Sequence, residues 1–265
     1  MATPVGKFYS GISGLVMPGP RATYPPEFRD RSRMEYYASL FNSLEINSSF
    51  YKTPKAATVA KWAGMVPDHF QFTFKFSKAV THVKGLEYNE DDVEPFMKTV
   101  AEAGEKKGCL LIQFPPSLKI DKLDRLQKLL SDIAWYNEDQ WRLAVEFRHA
   151  SWYETEVYEI LEEYRSIAVL HDIPASATPA RDIKSDFAYL RFHGPGGRYR
   201  GSYTDEFLMQ QAEQIRKRLH NGQDVYCYFN NTMGDAVKNL QSLQQFVAGN
   251  KTDECGGGRN IIIGN

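Results

Sequence analysis

The 265-residue chain has no apolar run approaching the roughly 18 residues of a membrane span. Its first residues, MATPVGKFYSGISG, lack the basic stretch and the apolar core of about 7–15 residues that mark a secretory signal. Cysteine is scarce. Cys109, Cys227 and Cys255 are an odd number without metal-site spacing, and the first two fall in apolar strand-like runs, so they read as small buried hydrophobes. A reducing, cytoplasmic setting is the default for such a chain. Charge of one sign is also missing. Thirty-two basic residues face 33 acidic ones, a net charge of −1, so no global field steers the protein towards nucleic acid or an anionic membrane. A local basic site stays open. No G-x-G-x-x-G follows the first strand-like segment, and neither a P-loop nor a G-x-S-x-G elbow occurs, which removes the usual support for dinucleotide binding and nucleophilic triads.

What is present is alternation. Strand-like segments occur at 7–13, 43–51, 71–77, 109–114, 142–149, 166–172, 187–194 and 224–230, bounded by Gly, Pro, Asn or Asp. Helical patterns fill 29–41, 54–66, 91–108, 121–134, 153–164, 204–222 and 235–247, with Thr204 placed to cap one start and Asn221-Gly222 to end it. Only 173–186 lacks a clear helix. Eight strands alternating with helices predict a parallel sheet, and this number at this length predicts an α/β fold of one (β/α)8 TIM-type barrel. A doubly wound open sheet is the alternative. One domain over 1–265 is expected, with 249–265 a Gly-rich C-terminal tail.

Strand parity locates a pocket, because alternate side chains point to opposite faces. In LAVEFRHASWY (143–153), Leu143, Val145 and Phe147 form the apolar set, leaving Ala144, Glu146 and Arg148 inward. The same division turns Glu45, Asn47, Thr73, Lys75, Gln113, Tyr189, Arg191, His193, Tyr228 and Asn230 inward. The inward charges lie in the C-terminal halves of their strands, where barrel active sites are built. A structural salt-bridge layer, such as Glu45 with Lys75 and Glu146 with Arg191, is the competing reading. Buried ion pairs are a poor way to fill a core, which weighs against it. His171 shares parity with Ile167 and Val169 and can equally meet a helix, and Asp172 is undecided with it. His149 either serves the rim or caps a loop, and Trp152 reads as packing.

The segments SLEINSSFY, QFPPS, VEFRHASW, YLRFHG and YFNNT, in this order, resemble the domain of unknown function 72, also called the YecE-like family. The resemblance runs from Tyr9 to about Ala248 and implies a TIM barrel and no particular chemistry. The family's motif positions fall here on Glu45, Asn47, Ser49, Phe50, Tyr51, Pro115, Pro116, Glu146, Arg148, Trp152, Arg191, His193, Gly194 and Asn230.

From the residue types, the expectation is an enzyme acting on a small phosphorylated or otherwise anionic substrate at the C-terminal barrel mouth. Glu45, Glu146, Lys75 and His193 are its candidate catalytic groups. Asn47, Gln113, Arg148, Arg191 and Asn230 are its substrate contacts, since arginine offers bidentate geometry to oxyanions. Two carboxylates held ionised by arginines do not suit a glycosidase. A metal-assisted hydrolase or isomerase, through Glu146, His171, Asp172 and His193, is an alternative that the neighbouring cations oppose, so no metal and no cofactor is expected. A Schiff-base role for Lys75 is open, because desolvation and nearby cations lower a lysine pKa. The basic–aromatic loop GGRYRGSY (196–203) supports a second alternative, a nucleotide or single-stranded nucleic-acid binding module.

Overall fold

The structure, a computed structural model, describes residues 5–17, 19–138, 140–181 and 185–249. Among them nine strands form: β1 Phe8–Ile12, β2 Ser43–Ile46, β3 Gln71–Lys75, β4 Lys107–Gln113, β5 Arg142–Glu146, β6 Ser166–Ala168, β7 Leu170–His171, β8 Phe187–Phe192 and β9 Asp224–Phe229. The helices are α1 Arg33–Leu40, α2 Ser48–Tyr51, α3 Ala56–Gly64, α4 Lys78–Thr81, α5 Val93–Ala101, α6 Leu123–Trp135, α7 Thr155–Glu163, α8 Asp205–His220 and α9 Ala236–Val247. The starts of α1 and α8 follow cap chemistry rather than apolar periodicity. The expected helix at 29–41 begins only at Arg33, because Ser32 accepts from the Glu35 amide while the Glu35 carboxylate takes the Ser32 N–H. Thr204 caps α8 as expected.

Every strand pairing is parallel, and the fold is α/β. The expected single ladder of eight strands is instead two sheets, ordered β2-β3-β4-β5-β6 and β1-β9-β8-β7. The stretch expected as one strand at 166–172 is divided between them. Its first half pairs with β5 and its second with β8, so one short segment passes from sheet to sheet. At the other junction, β1 and β2 meet in one isolated bridge, Ser13 to Glu45.

Side chains do the rest of the stitching there. Asn42 accepts from the Ser10 amide at 2.9 Å and donates to the Phe8 carbonyl at 2.7 Å. The Tyr37 hydroxyl accepts from the Ile12 amide at 2.7 Å and donates to the Ser43 carbonyl at 3.0 Å. Gly11 permits the approach, since a Cβ at that position would lie 2.0 Å from the Ser43 carbonyl oxygen.

Two buried clusters follow from strand parity. The larger lies between strands and helices and holds the outward set, including Leu44, Phe72, Phe74, Leu143, Val145 and Leu190. The smaller packs Cys109, Leu111, Ala144, Ile167, Val169, Tyr189, Tyr226 and Tyr228 from both sheets against one another. Ile167 and Val169 are therefore inward. His171, of the same parity, turns to the interior rather than to a helix, correcting that option. Its strand fills the inner core with aliphatic side chains, so apolar character there does not mark the outward face. Cys109 and Cys227 are buried free thiols, whereas Cys255 and the tail from 250 lie outside the described residues. No described helix is long and apolar enough to cross a membrane.

Candidate functional site

Arg191, at the C-terminal end of β8 and 1% exposed, joins the two sheets. Its Nε and Nη2 donate to the two oxygens of Glu45 at 2.9 and 2.7 Å, a bidentate pair reaching from one sheet to the end of β2 in the other. Its Nη1 donates to Glu146 Oε2 at 2.7 Å, and Nη2 also reaches Ser13 Oγ at 3.1 Å. Ser13 in turn donates to Glu45, and the Tyr189 hydroxyl donates to Glu45 Oε2 at 2.5 Å. Arg148 Nε closes onto the free side of Glu146.

Both carboxylates are fully buried, and burial alone pushes their pKa values up. For Glu45 the charge and hydrogen bonds of Arg191, with those of Ser13 and Tyr189, outweigh it and hold the carboxyl below its ordinary range. For Glu146 the charges of Arg148 and Arg191 outweigh it further, so the group lies well below that range. The two expected carboxylates thus share one guanidinium. The pairing weighed between Glu45 and Lys75 does not form, because Arg191 occupies both Glu45 oxygens.

His193 lies on the far side of Glu146. Its amide and Nδ1 both reach Asp172 Oδ1, at 2.8 and 3.2 Å, while Nε2 faces Arg148 Nη2 at 3.1 Å and Arg191 Nη1 at 3.3 Å. Two guanidinium donors at Nε2 and a carboxylate at Nδ1 fit the neutral tautomer that carries its proton on Nδ1. Burial lowers its pKa in keeping with that. Tyr203 donates to the other Asp172 oxygen and accepts from the Gly194 amide at 2.5 Å. Gly194 has φ +90, and a Cβ there would lie 2.2 Å from the Arg200 carbonyl oxygen. The close approach it allows is made by its own loop.

Lys75 differs from the other cations. Its Nζ donates to Gln113 Oε1 at 2.7 Å and lies 4.1 Å from the centre of the Phe50 ring, and among the described residues no carboxylate is within ion-pairing distance. Burial first, then the charges of Arg191 and Arg148, lower its pKa to about 8 against the opposing pull of Glu146 and Glu45. The Gln113 amide nitrogen, which donates to the Phe114 carbonyl, also lies 3.4 Å from His82 Nε2. His82 is lowered to about 4 by burial and by Lys75 and Arg148. Asn47 donates to Ser13 Oγ at 2.5 Å, and its buried Oδ1 has no hydrogen-bond partner among the described residues. Asn230 is nearly buried, and its neighbour Asn231 ties the Gly201 carbonyl to Asn239.

Glu45, Glu146, Arg148, Arg191 and His193 therefore converge, with Lys75 and Gln113 beside them. The remaining candidates resolve individually. His149 caps the turn Ala150–Trp152 by accepting from the Ser151 amide, and Trp152 packs on Phe114 and Phe147 while donating to the Leu118 carbonyl. His171 accepts from the Ile173 amide at Nδ1 and donates from Nε2 to the Phe147 carbonyl at 2.9 Å. Among the described residues no three His, Cys, Asp or Glu side chains are placed to hold a metal ion. Sequence reasoning missed Ser13 and His82, and met Tyr203 only as the end of the loop 196–203, without this role. Ser13 continues the inward parity of Tyr9 and Gly11 and was within reach of it. His82 and Tyr203 lie in connections where no periodicity operates.

These features define a parallel α/β protein with a buried carboxylate–guanidinium layer across its C-terminal strand ends. The chain belongs to the family described as Protein of unknown function DUF72, whose profile matches residues 9–256. It is 25% identical to the UPF0759 protein YunF of Bacillus subtilis (strain 168) over 257 residues, covering 84% of this chain and 89% of that protein. A shorter match, 28% over 120 residues, covers 45% of this chain and 43% of the UPF0759 protein YecE of Escherichia coli (strain K12). A solved DUF72 family protein of Thermotoga maritima MSB8 is similar with a TM-score of 0.74 and 27% identity, over 91% of this chain and 99% of that one.

Proposed function

We propose that the two sheets are the halves of one (β/α)8 TIM-type barrel domain, and that the protein is an enzyme acting on a small anionic, most simply phosphorylated, substrate at its C-terminal mouth. The observation that carries the substrate reading is Lys75, a partly buried cation at a strand end that has, among the described residues, no carboxylate within ion-pairing distance. An oxyanion supplies the missing counter-charge. In this reading Arg191 does not take the anion directly, since its donors go to Glu45, Glu146 and Ser13; it keeps both carboxylates ionised. Arg148, less buried, offers the second cationic contact, with Gln113, Asn47 and Asn230 orienting the rest. His193 and the two glutamates are the acid–base groups within reach.

The nucleic-acid reading has less support. Tyr199 stays 36% exposed, yet it accepts from Arg148 Nη1 at 2.9 Å and lies edge-on to His193, which ties the loop's central aromatic residue to the charged site.

Thermal-shift titration with inorganic phosphate and a set of phosphorylated metabolites tests the proposal, since a ligand at a hundred times its Kd stabilises by about 2.7 kcal/mol. Lys75→Met is expected to weaken such a ligand by about 1.5–3 kcal/mol, the usual worth of a charged hydrogen bond. Equal affinity in that variant refutes the assignment.

A further inference from the structure

We propose that the substrate is a carbonyl compound and that Lys75 captures it as an imine, an inference that rests on the anion-site reading above and narrows its substrate class. An amine attacks a carbonyl only when it is uncharged and held still. The geometry holds Nζ still and leaves more of it uncharged than on an exposed lysine. Phe50 walls one side of Nζ at 4.1 Å, Gln113 Oε1 fixes its direction at 2.7 Å, and among the described residues no carboxylate lies within ion-pairing distance of it. Two arginines beyond it add repulsion, consistent with a pKa near 8. His82 completes the group. Its ring packs edge-on against Phe50 at 4.7 Å, its Nε2 is 3.4 Å from the Gln113 amide nitrogen, and it is neutral above about pH 4, so it can relay a proton by taking one at one ring nitrogen as it releases the other.

The step balances without an oxidant or reductant. The Nζ lone pair bonds to the carbonyl carbon, the carbonyl π pair moves to oxygen, and the proton lost from nitrogen ends on that oxygen as a hydroxyl. A second proton transfer from nitrogen to this hydroxyl lets the C–O bond break. One water leaves, and one C=N bond to Lys75 remains.

The experiment incubates the full chain with glycolaldehyde phosphate, and in parallel with unphosphorylated glycolaldehyde, followed by borohydride reduction and peptide mass mapping. A lysine near pKa 8 carries roughly a hundredfold more free amine at pH 7 than an exposed one near 10.4, so Lys75 is expected to label at least about tenfold faster than surface lysines. The rate should rise through about pH 8. The groups acting on Nζ are Glu45 from β2, Gln113 from β4, Glu146 and Arg148 from β5 and its continuation, Arg191 from β8, and His82; Glu45 and Glu146 are held below their ordinary range, Arg191 above its own, and His82 at about 4, so none of these four titrates between pH 7 and 9. Inorganic phosphate should slow the phosphorylated probe, and Lys75→Arg should abolish the adduct while keeping its melting transition. Labelling at Lys75 no faster than at surface lysines overturns the imine. If phosphate still stabilises the protein through Lys75, the anion reading survives that failure. Selective labelling by both aldehydes with no effect of phosphate keeps the imine and removes the anion.

Discussion

Arg191 shows how much one side chain can hold together. Three of its nitrogens bond two buried carboxylates and a serine that originate in three different strands or strand ends. Removing one member of a buried ion pair costs about 3–5 kcal/mol, because the remaining charge stays desolvated. Arg191→Met is accordingly expected to lower unfolding stability by at least that much in urea titration, and Glu45→Gln in the same background to recover part of it. A variant that loses ligand affinity at unchanged stability would assign Arg191 to substrate instead. At this scale the site was legible wherever period-two alternation held: Glu45, Lys75, Gln113, Glu146 and Arg191 all came from parity. Asp172 and His82 did not, since they follow strand ends, where the backbone turns and alternation says nothing about direction. Nor could alternation show that Arg191 outcompetes Lys75 for Glu45. That is a matter of a bidentate fork meeting a carboxylate across the interior, which depends on how the two sheets face each other.

Among the elements, the strand segments were visible as apolar runs, and all eight proved to contain strand. The division of 166–172 was not visible, because three residues before a hand-over and two after it look like one strand in sequence. The junction of β1 and β2 is informative for the same reason. Its ladder is replaced by Asn42 and Tyr37, polar groups that sequence patterning assigns to a loop and to a helix face. Each satisfies backbone groups of β1 that a continuous ladder would otherwise pair, and an unpaired buried donor or acceptor costs about 1–3 kcal/mol. Tyr37→Phe orphans the Ile12 amide, and Asn42→Ala orphans the Ser10 amide and the Phe8 carbonyl. Each is expected to destabilise by about that amount in chemical denaturation. Faster amide hydrogen exchange should be concentrated in Phe8–Ile12, because the affected donors lie there. Exchange that rises uniformly over all strands would show that these side chains do not act on the seam.

For the molecule as a whole, the charged layer couples folding to pH, and the direction can be worked out group by group. His171 and His82 have folded pKa values of about 4, below the 6.5 of an unperturbed imidazole, and His193 is lowered too. Between those values the unfolded chain binds protons that the folded chain does not, so stability rises with pH across the window. The histidine contribution is fully present above about pH 6.5 and is lost as pH falls towards 4. Glu45 and Glu146 are shifted the same way. Their contribution is present above the ordinary carboxylate pKa of about 4.3 and is lost as pH falls through their depressed folded values. Acid unfolding should therefore begin well above the range where carboxylates titrate. The first limb, from about pH 6.5 to 4, belongs to imidazoles that burial keeps neutral, and the second, below about 4.3, to the carboxylates on Arg191. Urea midpoints measured at intervals between pH 7.5 and 3.5 should resolve the two. His171→Gln, which removes one buried imidazole while keeping a donor for the Phe147 carbonyl, should flatten the first limb by up to about 1.4 kcal/mol per pH unit, one proton's worth of linkage. The second limb should move much less, since this substitution alters neither guanidinium bond to Glu146 and removes only the weaker coupling of His171 to it. A first limb of unaltered slope in that variant would mean that His171 takes up its proton in the folded protein as readily as in the unfolded chain.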